Sequence, residues 1–170
     1  KPIENFLEIK KKRLETFMAA FTPISQKIDE IYKELTKSSK SPLGGTAYLG
    51  LESLDEPYLY GIKYNAMPPM KRYRDLELLS GGEKTVAALA LLFAIHHYQP
   101  SPFFILDEID AALDKGNVDK VARFISKKKK ETQFLVISLK ETFYTKADSL
   151  VGIYRDQEEK CSSTLTYDLT

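Results

Sequence analysis

Between Glu83 and His97 the chain carries Val86, Ala87, Ala88, Leu89, Ala90, Leu91, Leu92, Phe93, Ala94 and Ile95, a stretch of helical length that is apolar on nearly every side. A helix without a polar face must be buried. Pro100 and Pro102 end it, and Phe103-Phe104-Ile105-Leu106 follows as the short continuous apolar run of a parallel strand covered on both faces. Asn117 to Lys128 reads as an amphipathic helix through Val118, Val121, Ala122, Phe124 and Ile125, and Phe134-Leu135-Val136-Ile137 as a second strand. Strand, helix, strand predicts a parallel βαβ unit and an α/β fold. Leu150 to Tyr154 and Thr164 to Leu169 read as later strands or an edge hairpin.

The 170 residues are enough to close a core around that helix. Hydrophobic residues at 43% and charged residues at 29% argue against a disordered, collagen-like or membrane chain. Twenty-five Lys+Arg against 24 Asp+Glu give a formal charge of +1, so binding to nucleic acid would have to come from a local patch. The single Cys161 forms no internal disulfide, which fits a reducing compartment and excludes a zinc module. The start at Lys1-Pro2, without Met or a signal-peptide pattern, reads as a fragment of something longer.

Ahead of this α/β unit, apolar residues recur at Ile3, Leu7, Leu14, Phe17, Phe21, Ile24, Ile28, Ile31 and Leu35 in steps of three and four, with Lys10 filling the missing place. That heptad seam predicts a coiled-coil helix and a partner helix for it. The alternative is an amphipathic helix lying on the chain's own core, which Phe17 and Phe21 suit. Pro23 predicts a kink, or a restart capped by Thr22. Thr36 to Gly45 has loop composition, and residues 46–51 and 58–64 read as strands joined across Asp55-Glu56-Pro57, with Pro68-Pro69 as a break. Gly44-Gly45-Thr46 lacks the Gly-Lys-Ser/Thr ending of a phosphate loop. Lys127 to Lys130 and Lys10 to Arg13 read as solvated faces.

Two clusters carry chemistry. Leu79-Ser80-Gly81-Gly82-Glu83 stands directly before the buried helix. Its glycines permit close backbone approach, Ser80 offers a hydroxyl, and the free N–H groups of a helix start suit phosphate oxygens. An ordinary Ser-Gly-Gly cap has the same composition. Asp107-Glu108 ends the apolar strand, at the sheet edge where open α/β folds bind ligands. There Asp107 can hold Mg²⁺ through a water, while Glu108, on the alternate side of the strand, can polarise a water for attack on a γ-phosphate.

Together these residues resemble ABC-type ATPases: Leu79 to Glu83 is like their signature motif, Phe103 to Glu108 like their Walker B strand, and Ala112-Leu113-Asp114 like their D-loop. The heptad helix narrows the resemblance to the SMC (structural maintenance of chromosomes) family and its DNA-repair relatives. The stretch from Gly61 to Pro69, Lys71-Arg72 and the signature with Lys84 look like SMC heads in particular, and the run from Phe104 to Asp114 with Ile137 to Glu141 and Phe143 to Leu150 looks most like the cohesin SMC subunit whose head receives the C-terminal domain of the kleisin. The resemblance implies the C-terminal lobe of an ABC-type ATPase head over residues 39–170, a parallel sheet with helices, led by a coiled-coil helix over 1–38. It implies a heterodimer of heads that hydrolyses ATP with Mg²⁺ to drive chromosome tethering and sister-chromatid cohesion in the nucleus. Glu108 would be catalytic and Asp107 the metal carboxylate, while Leu79, Ser80, Gly81, Gly82 and Asp114 would face nucleotide. The implied partners are the N-terminal half of the same head, a second head, a kleisin, and DNA through the assembly, with no membrane.

Two departures limit the resemblance. Many ABC ATPases have a switch histidine where this chain reads Ser138-Leu139-Lys140, and His96 and His97 read as structural. The chain also has no Gly-x-x-x-x-Gly-Lys-Ser/Thr loop; in SMC proteins that loop lies in the N-terminal part of the polypeptide, so this sequence reads as half a head. Alone it should bind ATP poorly, show negligible hydrolysis and expose apolar surface. The competing expectations are a related DNA-repair ATPase, a kleisin-binding module with vestigial motifs, and a transporter's ATP-binding subunit.

Overall fold

A computed structural model describes residues 2–70, 74–75, 78–158 and 160–169; Lys71-Arg72 lies outside them. The heptad pattern folds as one unbroken helix, α1, from Pro2 to Thr36. Pro23 sits inside it, so the restart expected at Thr22 does not occur; apolar packing on the far side of the proline carries the helix through the lost hydrogen bond. Its two halves meet different surroundings. Ile28, Ile31, Tyr32 and Leu35 are buried in the core, whereas Ile3 is 73% exposed and Phe6, Leu7 and Ile9 are also open. The amphipathic-helix reading thus describes the second half; of the first-half seam, Ile3 and Leu7 are uncovered and Leu14 and Phe17 are half-buried.

Two joints fix the end of α1 to the strand that follows. The Thr36 hydroxyl donates to the Tyr32 carbonyl and accepts from the Gly45 N–H at 2.8 Å, and the Ala47 N–H donates to Asp29 Oδ1 at 3.1 Å. Gly44, at φ +73°, lies so close to the Lys33 carbonyl that a Cβ would stand 2.4 Å from it, so only glycine fits this turn. Strand β1, Thr46–Leu51, pairs antiparallel with β2, Ile62–Met67, and β3, Arg74–Asp75, adds to β2. The strand expected over residues 58–64 thus starts at Ile62. Glu52 takes the intervening chain out of the ladder: its N–H donates to the Gly61 carbonyl and its carboxylate accepts from the Gly61 N–H, both at 3.2 Å.

Helix α2, Gly81–Tyr98, leads into β4, Phe103–Asp107, then α3, Lys115–Lys128, and β5, Gln133–Ile137. β4 and β5 are parallel, with Phe103 opposite Gln133 and Asp107 opposite Ile137, so the βαβ unit forms as expected. On one face of this pair Phe104 and Phe134 stack at 5.6 Å and receive Phe93 of α2, which also touches Phe124 of α3 at 4.7 Å. The other face is bare: Phe103 is 50% and Ile105 60% exposed, with Leu135 and Ile137 beside them. Cover on both faces is therefore corrected to cover on one, because α2 and α3 lie on the same side. Leu92 and Ile95 of α2 are open too, so its burial is also incomplete.

The chain ends in a short helix, α4, Glu141–Tyr144, and an antiparallel hairpin, β6 Ser149–Arg155 with β7 Ser162–Asp168. Val151, Ile153, Leu165 and Tyr167 of the hairpin are exposed. His96 acts structurally: its Nδ1 accepts from the Ser101 N–H at 3.1 Å, so its Nε2 carries the proton and donates to Thr132 Oγ1. The lysine run is charge-compensated, Lys127 by Glu34, Lys128 by Glu131 and Lys129 by Asp148.

Candidate functional site

Parallel pairing puts the carboxyl ends of β4 and β5 side by side, and a right-handed crossover starts its helix at that same end. The polar residues collected there come from four places: the start of α2, the end of β4 with the turn after it, the start of α3, and the residues after β5.

Ser80 is the N-cap of α2, with its oxygen accepting from the Glu83 N–H at 3.4 Å and the Glu83 carboxylate reaching back to the Ser80 N–H at 2.9 Å. This capping box satisfies two donors of the helix start, the N–H groups of Ser80 and Glu83, and leaves those of Gly81 and Gly82 between them. Leu79 is 5% exposed, so its side chain belongs to the core. The two glycines differ. A Cβ on Gly82 would stand 2.9 Å from the Ala112 carbonyl, so Gly82 is glycine because the segment after β4 presses on it. Gly81 has open space around it and no left-handed backbone, so nothing in this chain requires glycine there.

Asp107, the last residue of β4, is exposed at the strand end. Glu108 follows in the left-handed region at φ +48°, a conformation costing about 1–3 kcal/mol for a non-glycine residue. Its N–H donates to the Ile137 carbonyl at 3.0 Å, continuing the ladder by one bond, and its carbonyl accepts from the Ala111 N–H at 3.1 Å. The Glu108 side chain is exposed. Asp114 caps α3: Oδ1 accepts from the Asn117 N–H and Oδ2 from Asn117 Nδ2, both at 2.9 Å.

Asp110 is a site residue that sequence reasoning passed over. It is 4% exposed, and its Oδ2 accepts from the Ser138 hydroxyl at 2.9 Å. The signal available was its place in the turn between the carboxylate pair and Asp114, opposite the position where the switch histidine is missing.

The structure thus brings Gly82 against Ala112 and Leu113, and Glu108 and Asp110 against the end of β5. No hydrogen bond joins Ser80 or Gly81 to Asp107 or Glu108 among the described residues. None of those residues forms a group of three or more His, Cys, Asp or Glu suited to a metal. Asp107 therefore fits Mg²⁺ as one oxygen ligand, or its water's partner, for an ion that takes its remaining ligands from phosphate and water, as this cation commonly does. Ser80, Gly81 and the amides behind them fit phosphate oxygens as donors. No helix among the described residues is long and apolar enough to cross a membrane.

Comparison with known proteins gives one consistent family. The model of the family described as RecF/RecN/SMC N terminal domain matches residues 6–162. Structural maintenance of chromosomes protein 1 of Schizosaccharomyces pombe is 65% identical over 98% of this chain, and that of Arabidopsis thaliana 61% over 95%. The chain spans 14% of the length of each of these relatives. Among solved structures, an Smc head domain from Pyrococcus furiosus with an extended coiled coil, bound to the C-terminal domain of ScpA, matches with a TM-score of 0.85 and 38% identity over 98% of this chain and 40% of that one. A chain from work on ATP-driven dimerization and DNA stimulated activation of SMC ATPases matches with a TM-score of 0.80 and 36% identity over 92% of this chain and 90% of that one.

Proposed function

Because this chain belongs to the RecF/RecN/SMC family and has the α/β fold of SMC ATPase heads, we propose that it is the half of a cohesin-type head that follows the coiled coil. Residues 1–38 are then the coiled-coil helix and 39–170 the lobe. The family description speaks of an N terminal domain; our assignment rests on the motifs this sequence holds, a signature, a Walker B-like strand and a D-loop behind a heptad helix, and on the phosphate loop it does not hold. The bare face of β4 and β5 and the open side of α2 support it, since apolar surface of that extent calls for a second lobe.

In this reading the lobe completes a Mg-ATP site with the phosphate-loop half of the same head. Mg-ATP supplies the electrophilic phosphorus and the charge that the metal neutralises. Asp107 would hold Mg²⁺ through a water, and Glu108 would accept a proton from the attacking water. Ser80, Gly81 and Gly82, with Asp114 beside them, meet nucleotide held by a second head, a heterodimeric SMC partner. The observation that carries this division is Gly81. It is a glycine in an open position at a helix start, which makes sense when something outside the chain approaches it closely.

Through such cycles the assembly tethers chromosomes in the nucleus, with DNA bound by the whole complex. The second head and a kleisin C-terminal domain are its protein partners, as an Smc head binds the C-terminal domain of ScpA. Reconstituted heads test the roles. Glu108→Gln should allow ATP-dependent engagement of heads and block turnover, and Ser80→Arg should prevent engagement by bulk and charge. Normal steady-state hydrolysis by Glu108→Gln heads would overturn the assignment.

A further inference from the structure

The residue at the place of the missing switch histidine is not idle. Ser138 follows the last residue of β5, and its hydroxyl is engaged twice: it donates to Asp110 Oδ2 at 2.9 Å and accepts from the Lys140 N–H at 2.9 Å. Its own carbonyl accepts from the Tyr144 hydroxyl, which pins the backbone from the side of α4. A hydroxyl has one proton, and a phosphate oxygen can only accept. Ser138 cannot donate to a terminal phosphate without releasing Asp110, and Asp110 is buried, where an unpaired carboxylate is costly.

The bond therefore works inward. Asp110 lies in the turn whose first residue, Glu108, holds a left-handed backbone, and whose later residues, Ala112 and Leu113, press on Gly82. Without the Ser138 link, the one hydrogen bond that ties the turn to β5 among the described residues is that from the Glu108 N–H to the Ile137 carbonyl. That single bond fixes where Glu108 begins but not the pitch of the residues after it. We propose that Ser138, through Asp110, is a positioning residue that sets the turn carrying Glu108 and Asp114, and that it does not contact the nucleotide. The proposal rests on the ATPase reading above and deepens it: the position that carries a phosphate-sensing imidazole elsewhere here serves to aim the base and to couple it to the segment facing the second head.

The test uses complete heads, reconstituted with the other half and a second head. Ser138→Ala should lower kcat for ATP hydrolysis about tenfold to a hundredfold, as a small misplacement of a reacting group does, with KM for ATP and affinity for a non-hydrolysed analogue within about twofold of wild type. Ser138→Thr keeps the hydroxyl and should restore kcat to within about threefold. Asp110→Asn added to Ser138→Ala should cost less than about twofold more, because both changes break one link. A Ser138→Ala head with raised KM and weakened analogue binding, beside an Asp110→Asn head of normal kcat, would mean a phosphate contact and overturn the proposal. Unchanged kcat in Ser138→Ala heads that melt like wild type and are still inactivated by Glu108→Gln would also overturn it, while leaving the ATPase reading standing. Wild-type heads that hydrolyse nothing would instead overturn that reading itself.

Discussion

The two faces of β4 and β5 are made from the same kinds of residue and have opposite fates. Phe104, Leu106, Phe134 and Val136 join the core cluster that holds Phe93 and Phe124, while Phe103, Ile105, Leu135 and Ile137 stand about half exposed, with no helix of the described residues laid over them. Composition alone does not distinguish them. What distinguishes them is which helices the chain supplies, and both α2 and α3 pack on one side. An apolar residue with no cover among the described residues marks where another surface is required, and the same contrast separates Gly82 from Gly81.

The largest expected break in this comparison comes from a matched pair of truncations. Phe93→Ala should destabilise the chain by about 3–5 kcal/mol, because it empties the centre of the aromatic cluster. Ile105→Ala should cost less than about 1 kcal/mol in the chain alone, yet weaken its assembly with the complementary half. Urea denaturation with and without that half reads both, and equal losses in the chain alone would erase the distinction between the faces. In the same vein, Ile105→Ser with Leu135→Ser should raise the soluble yield of the chain expressed alone and lower its recovery with the other half.

A smaller effect separates the glycines. Gly82→Ala places a methyl 2.9 Å from the Ala112 carbonyl, so the backbone must shift, at a cost of about 1–3 kcal/mol. Gly81→Ala should leave stability within about 1 kcal/mol of wild type, with helix propensity on its side, and still reduce ATP-dependent engagement of heads. Thermal melting against an engagement assay tells the two apart; a Gly81→Ala chain that melts early would show an internal need for that glycine.

The smallest effect concerns His96, on the covered side. Burial, and then the nearby Lys128 charge, hold its pKa below the ordinary histidine value. The unfolded chain therefore binds more protons than the folded one in that range, so stability rises with pH. The contribution is complete above about pH 6.5 and is lost as pH falls through the depressed folded pKa, where Nδ1 would have to be protonated against the Ser101 N–H. Melting temperatures at pH 7.5 and 5.5 should differ more for wild type than for His96→Gln; an equal difference would remove histidine from the account.

The sequence made the βαβ unit legible because β4, α3 and β5 follow separate periodicities with prolines between α2 and β4. It placed Leu79 to Glu83 at a helix start and Asp107-Glu108 at a strand end because the apolar helix and the apolar strand beside them are plain in the pattern. Tyr58-Leu59-Tyr60 misled because aromatic composition suits a strand, and only the Glu52 to Gly61 pairing shows the chain leaving the ladder there. The bare face could not be read, since a continuous apolar strand does not say which chain covers it. Asp110 to Ser138 was hidden for a different reason: it joins residues 28 apart, and the left-handed Glu108 that gives it meaning leaves no mark on composition.

Pro23 lies near the point where α1 departs from the core, and it removes one rung of the helix's hydrogen-bond ladder. Mechanically, α1 is a beam clamped at its carboxyl end by Thr36 and Asp29, with its weakest section at the edge of the clamp. The free span from Pro2 to Thr22 is about 30 Å, so a bend of roughly ten degrees at that section carries the tip about 5 Å. A strut limits the swing: Lys10 meets Glu56 at 3.1 Å, and Arg13 lies over the Tyr58 ring at 4.2 Å. Both are surface contacts that salt and solvent weaken. Load applied along the arm is therefore met first by a strut that yields, then by a section that flexes, and only last by the clamp, where α1 packs on α2.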